Sequence, residues 1–182
     1  MIPTAPTQML RPERRRRPRW HMIAEIELAP LIVEQTGWLR LCDELEAIAD
    51  ALPQCPGAAE NARIAAQIEG LVEAPAELPE PRPPISSLAE GAGATLADSL
   101  FAHVRAMRAA RIVQAQDIVD ALDGDPSRQP DLLGYMLRCF FESCRHLITI
   151  EQLTLLAVGG TRLLPGARAL LTERLTRGHG AG

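Results

Sequence analysis

The sequence predicts an all-α protein: an antiparallel up-down four-helix bundle with a short extra helix at its C-terminal end. Three observations lead there. Apolar residues recur at three- and four-residue steps in four separate stretches, the spacing of an amphipathic helix. The composition is 47% hydrophobic but only 3% aromatic, and its Ala and Leu content favours helix over the β-branched and aromatic residues of a sheet. Most connections between the stretches are short, which makes neighbouring helices antiparallel. At 182 residues the chain fits one domain with one core.

The first helix is expected over Leu31–Leu52, with Val33, Leu41, Leu45 and Ile48 inward and Pro53 ending it. Gly37 weakens its middle by about 1 kcal/mol relative to Ala. Pro56-Gly57 marks a turn, and a second helix runs over Ala58–Glu73 through Ile64, Ile68, Leu71 and Val72. Pro75, Pro79, Pro81, Pro83 and Pro84 remove backbone donors and fix φ, so an extended connection follows. Gly91 and Gly93 carry it irregularly to about residue 94.

A third helix, Thr95–Leu122, places Leu96, Leu100, Val104, Met107, Arg111, Ala115, Ile118 and Leu122 near one face, and Asp123-Gly124-Asp125-Pro126 ends it. Pro130 and Asp131 open the fourth, whose apolar face runs Leu133, Leu137, Phe140, Cys144, Leu147, Ile148, Glu151, Leu155 and Val158 before Gly159-Gly160 stops it. Pro165 opens a last short helix through Leu170, Leu171 and Leu175. The bundle therefore spans 30–177, with the Pro/Gly-rich connection 75–94 inside it. Residues 1–29 form a basic, disordered tail and 178–182 a loose end.

All 19 basic residues are Arg, which together with the Ala, Pro and Gly content looks like codon bias. Residues 1–21 carry a net +5, leaving −9 for the remainder of a chain whose total is −4. Arg14–Arg17 and Arg19, flanked by Pro12 and Pro18, have the charge to bind nucleic acid or an anionic membrane. The same run also reads as a solvated extension, or as a stretch upstream of a second possible start at Met22. Glu25 and Glu27 interrupt the apolar stretch that a secretory signal would need. No run of about 18 apolar residues exists to span a membrane, so a cytoplasmic location is expected.

Cys42, Cys55, Cys139 and Cys144 show no CxxC spacing, so metal-thiolate ribbons and thioredoxin chemistry are not supported. They read as small buried apolar residues in a reducing compartment. Cys139 and Cys144 lie about 140° apart around a helix, and Cys144 and His146 about 200°. With no Ser–His–Asp or Cys–His arrangement and no Gly-rich phosphate loop, no catalytic constellation is found and the chain does not read as an enzyme.

LRLCDELEAIADALP (Leu39–Pro53) and LLGYMLRCFFESCRHLITIEQLTLLAV (Leu132–Val158) resemble the first and last bundle helices of the bacterial hemerythrin-like (HHE cation-binding) family. TRLLPGARALLTERL is similar to the family's terminal helix. The resemblance covers Leu31–Arg177 and implies a bundle that holds two irons, mainly with histidines. Carried over residue by residue, the fourth-helix ligands fall on Leu147 and Glu151, and the first-helix His on Gln35, preceded by Glu34. The second-helix ligands fall near Val72 or Glu73 and Ala76 or Glu77. The third-helix His falls on Arg108, with Arg111 and Ile112 at the neighbouring ligand positions. A shifted register would pair His146 with Glu151.

Only four histidines exist; His21 and His179 lie outside the bundle and His103 is out of ligand register. Arg has no lone pair for iron. The resemblance thus implies a bundle with most metal ligands replaced, no cofactor, and a binding or regulatory role toward an unidentified protein partner. The alternative is an iron protein that senses or carries oxygen or nitric oxide through a residual site near His146 and Glu151. Charge suggests what fills the vacated centre: Arg108 or Arg111 reaching across to hold the carboxylate of Glu151. The competing expectation is that these side chains extend to solvent.

Overall fold

Heptad-like stripes in three of the helices shape the fold. In the computed structural model, which describes residues 22–73, 75–79, 92–124 and 129–178, the chain forms α1 (Glu25–Ala51), α2 (Ala58–Glu73), α3 (Ala92–Asp123), α4 (Pro130–Gly159), a 3-10 turn (Gly160–Arg162) and α5 (Pro165–Gly178). The described residues are otherwise free of strand apart from one isolated bridge between Ile23 and Leu163. In α3 the inward positions are Ala97, Phe101, Val104, Arg111, Ala115, Ile118 and Leu122, with Arg108 completing the alternation of four- and three-residue steps. In α4, Leu133, Leu137, Phe140, Cys144, Leu147, Glu151 and Thr154 do the same. Such spacing keeps one seam facing a partner helix along its whole length.

Helix α4 packs against both α1 and α3, α2 packs against α3 and α1, and α5 covers the end formed by α1 and α4. Contacts fix the directions. Gln35 meets Gln152, Asp43 meets Arg145, and Ala49 meets Arg138, so α1 and α4 run antiparallel. Arg108–Glu151 and Gln114–Ser143 make α3 antiparallel to α4. Ile23 beside Leu163 and Thr36 beside Arg174 make α5 parallel to α1.

Helix α1 begins at Glu25 instead of Leu31, with Pro30 inside it. Residues assigned by sequence to the tail therefore belong to the helix and the core. The Glu27 carboxylate accepts the Ala24 N–H at 2.9 Å, and Glu25 and Glu27 complement the positive end of the helix dipole. Burial of Ile23 and Leu28 draws the helix start upstream past the proline. Val33, expected inside, is 71% exposed; Glu34 and Gln35 take the inward positions. Likewise Leu96 is exposed and Phe101 buried, because α3 starts at Ala92 and its stripe is set by Ala97 and Phe101. The expected connection is correspondingly shorter at its C-terminal end, and its residues 80–91 lie outside the described set, as do Arg14–Arg19, His21 and His179.

Gly37 has a packing reason that its helix propensity conceals. A Cβ there would sit 2.7 Å from the Cδ2 of Leu71, so the glycine lets the end of α2 close on α1. Gly160, with φ at +24°, ends α4 in a conformation that costs a side-chain-bearing residue more.

The apolar interior is in two parts. The larger is built from Trp38, Leu41, Leu45, Ile64, Ile118 and Phe140 with their neighbours, and α2 contributes only here. The smaller holds Ile23, Leu28, Leu31, Phe101, Leu155 and Leu171, and α5 contributes only here. Between them lies a layer of charged and amide side chains.

Candidate functional site

Each helix of the α1–α3–α4 trio supplies two polar residues to that layer: Glu34 and Gln35, Arg108 and Arg111, Glu151 and Gln152. All of these but Arg108 are buried, and Arg108 is only 14% exposed. The segment that follows α2 adds the backbone of Ala76. Arg108 donates from Nε to Glu151 Oε1 at 2.5 Å, from Nη1 to the Ala76 carbonyl at 2.7 Å, and from Nη2 to Glu34 Oε2 at 3.0 Å. Arg111 donates to Glu34 Oε1 at 2.7 Å, and its guanidinium lies 4.2 Å from the centre of the Trp38 ring.

The remaining lone pairs are taken by neutral donors. Glu34 accepts the Trp38 indole N–H at 3.2 Å and the Ala76 N–H at 2.9 Å. Gln35 donates to Glu151 Oε2, and Gln152 donates to Gln35, both at 2.9 Å. Two carboxylates and two guanidinium groups leave the layer formally neutral. Neutrality matters because each ion brought into the interior costs several kcal/mol of desolvation, which only close pairing and full hydrogen bonding offset.

Arg111 also faces sulfur. Its guanidinium interacts with the Cys144 thiol, which in turn contacts Cys42 across the α1–α4 interface. The hydrogen bond from Cys42, with the Arg111 charge added, holds Cys144 below the ordinary thiol range against the opposing effect of burial. Cys42 is pushed up, by that same hydrogen bond and then by burial. Cys139, expected inside, is exposed instead, because it lies off the α4 seam that contains Cys144.

Of the residues singled out from sequence, Arg108 and Glu151 are brought into direct contact, and Arg111 pairs with Glu34. The residual iron site is not assembled. Glu151 is fully buried while His146 is exposed, since five residues on a helix turn the two side chains well apart. His103 and Glu77 are exposed, and Leu147 belongs to the apolar interior. Sequence reasoning missed Gln152, the indole of Trp38 and the backbone of Ala76. For Trp38 a signal was available, since it lies four residues, about one helical turn, beyond Glu34; the contributions of Gln152 and of the Ala76 backbone depend on how the helices are set against one another.

The donor set does not suit the di-iron centre that the resemblance implies. Both oxygens of Glu34 and of Glu151 are engaged by nitrogen donors, and arginines stand where imidazoles would be needed. Among the described residues no group of three or more His, Cys, Asp or Glu side chains is placed to hold a metal ion. Three cavities among the described residues lie elsewhere: on the outer face of α5 near Arg168, at the α1–α2 turn near Gln54, and in a groove between α3 and α4 near Tyr135. Among the described residues no helix is long and apolar enough to cross a membrane.

Comparison with known proteins returns no matching family model, no matching curated protein and no matching solved structure.

Proposed function

We propose that the chain is a hemerythrin-like, up-down four-helix bundle in which an internal arginine–carboxylate network replaces the metal centre, and that it works in the cytoplasm as a binding or regulatory protein. The observation that carries this reading is the position of Arg108. It stands where the resemblance places a histidine ligand, and its guanidinium bridges Glu151, Glu34 and the Ala76 carbonyl. Gln35, Ala76, Arg111 and Glu151, all at or beside ligand positions in the same register, meet in one network. A guanidinium shared between two carboxylates supplies the positive charge that a cation would otherwise provide.

A binding role accords with the surface of α1, where Ile26 is 77% exposed and Val33 lies exposed seven residues further on, two turns along the same side. The partner in this reading is a protein. The arginine run at the N-terminus offers a second contact, toward nucleic acid or an anionic membrane.

The test is elemental analysis with an absorption spectrum on protein produced in iron-rich medium. Iron far below one per chain and no oxo-bridge absorption are expected. A di-iron complement that survives gel filtration would overturn the reading and restore the oxygen- or nitric-oxide-binding alternative.

A further inference from the structure

Cys42 and Cys144 are the only cysteines among the described residues that are fully buried, and their side chains interact across the α1–α4 interface inside the larger apolar cluster. Their neighbours fix this register independently. Asp43 and Arg145, one residue further along each helix, are joined at 2.9 Å, and Gln35 and Gln152 are joined on the other side. The third member of the cluster is Arg111. It is 4% exposed, and its Nε and Nη1 are buried without a hydrogen-bond partner while its Nη2 is committed to Glu34. A guanidinium with spare donors beside one of two apposed thiols favours the thiolate, the reactive form of sulfur.

From this geometry we infer that Cys42 and Cys144 are a peroxide-responsive dithiol, with Cys144 the attacking and Cys42 the resolving thiol, whose oxidation forms a disulfide joining α1 to α4. The Cys144 thiolate attacks one oxygen of hydrogen peroxide. The O–O bond breaks, the sulfur becomes a sulfenic acid, and the other oxygen leaves as water after taking up a proton. The Cys42 sulfur then attacks the sulfenic sulfur. An S–S bond forms, the S–O bond breaks, and a second water carries away the Cys42 proton. Two thiols are oxidised, one peroxide is reduced, and two waters are released.

Charge balance separates this chemistry from capture of a soft monovalent metal ion. The network around Arg111 is already neutral, so a monovalent bis-thiolate complex would leave a lasting negative charge in the interior, whereas the thiolate is transient and the disulfide product carries no charge. Burial selects the oxidant. Hydrogen peroxide is close to water in size and reaches the pair through local opening of the packed helices, while bulky disulfide reagents are excluded. The inference stands apart from the metal question, because neither sulfur belongs to the carboxylate–arginine contacts.

The decisive experiment is a peptide map of the full-length protein, run without reductant after treatment with limiting hydrogen peroxide under native conditions. A peptide pair linked through Cys42 and Cys144, with the intact mass lowered by two hydrogens, is expected. Oxidation confined to Cys139 or Cys55, with both interior thiols still free, would overturn the inference. So would a link that appears only when the protein is unfolded. Two variants assign the roles. In C42S a 1,3-dione that captures sulfenic acids should label Cys144, and in C144S Cys42 should stay unlabelled. Equal labelling in both would overturn the assignment of Cys144 as the attacking thiol.

Discussion

Two sets of arginine–carboxylate contacts link the helices of this molecule, and their lengths are nearly the same. In the interior Arg108 and Arg111 reach Glu151 and Glu34 at 2.5–3.0 Å. At the rim of the same α1–α4 interface Arg145 reaches Glu46 and Asp43 at 2.5 and 2.9 Å. The difference is water. Glu151 is fully buried, whereas Arg145 keeps 36% of its side-chain surface and Glu46 42%. At the rim, solvent screens the attraction and replaces any lost contact, so such pairs contribute about 0–1 kcal/mol. Inside, no solvent stands ready, and a group deprived of its partner bears the whole desolvation cost. Bond length is therefore a poor guide to energetic weight, and environment a good one.

The contrast can be broken most severely at Arg108. Arg108→Leu leaves Glu151 without a cation and Glu34 with Arg111 alone, and should cost about 3–5 kcal/mol of stability in a urea titration. A midpoint unchanged from that of the parent would remove the distinction between interior and rim. Next in size is Glu151→Leu, which strands the Arg108 Nε and the Gln35 amide but leaves Arg108 two other acceptors; about 1–3 kcal/mol is expected. The double variant Arg108→Leu/Glu151→Leu should lose clearly less than the sum of the singles. A double-mutant cycle with no coupling would show that the two residues do not act as a pair.

At the rim, Arg145→Ala should cost about 1 kcal/mol or less, and high salt should shrink the difference further, because exposed charges are screened while buried ones are not. The smallest effect concerns pH. The hydrogen bond from Arg145 holds the Glu46 carboxyl below its ordinary value of 4.5. A depressed carboxyl pKa stabilises the fold above the unfolded value and ceases to do so as pH falls through the folded one. Glu46→Gln should therefore be slightly less stable than the parent near neutrality and indistinguishable from it once the pH is well below 4.5. A difference that grew toward acid would reverse the sign of this argument.

Much of the helical layout was legible beforehand. α2 spans Ala58–Glu73 as its apolar spacing predicts, α4 opens at Pro130, and α5 opens at Pro165, because proline at a helix start and glycine at its end act locally. Legibility fell where tertiary burial outweighed local signals. Pro30 reads as a barrier, yet the burial of Ile23 and Leu28 carries α1 across it. Val33 reads as core because it is apolar, yet the seam at that level belongs to Glu34 and Gln35. Charge alone points to Arg108 or Arg111 as a partner for Glu151 and leaves a path to solvent equally open; the structure selects Arg108, because a choice between helical neighbours three residues apart depends on interhelical register, which no local spacing encodes.

By itself the amino-acid sequence determined that the chain would be helical, roughly where four helices and a short fifth would begin and end, and that buried carboxylates would need arginine partners. Those properties follow from propensity, periodicity and the cost of isolated charge, each of which acts within a turn or two of helix. Only the tertiary structure decided which arginine meets which carboxylate, that Ala76 closes the network with its backbone, and that Cys42 lies against Cys144. These pairings join residues far apart in the chain, and the relative axial positions of α1, α3 and α4 that create them are set by the packing of the two apolar clusters together.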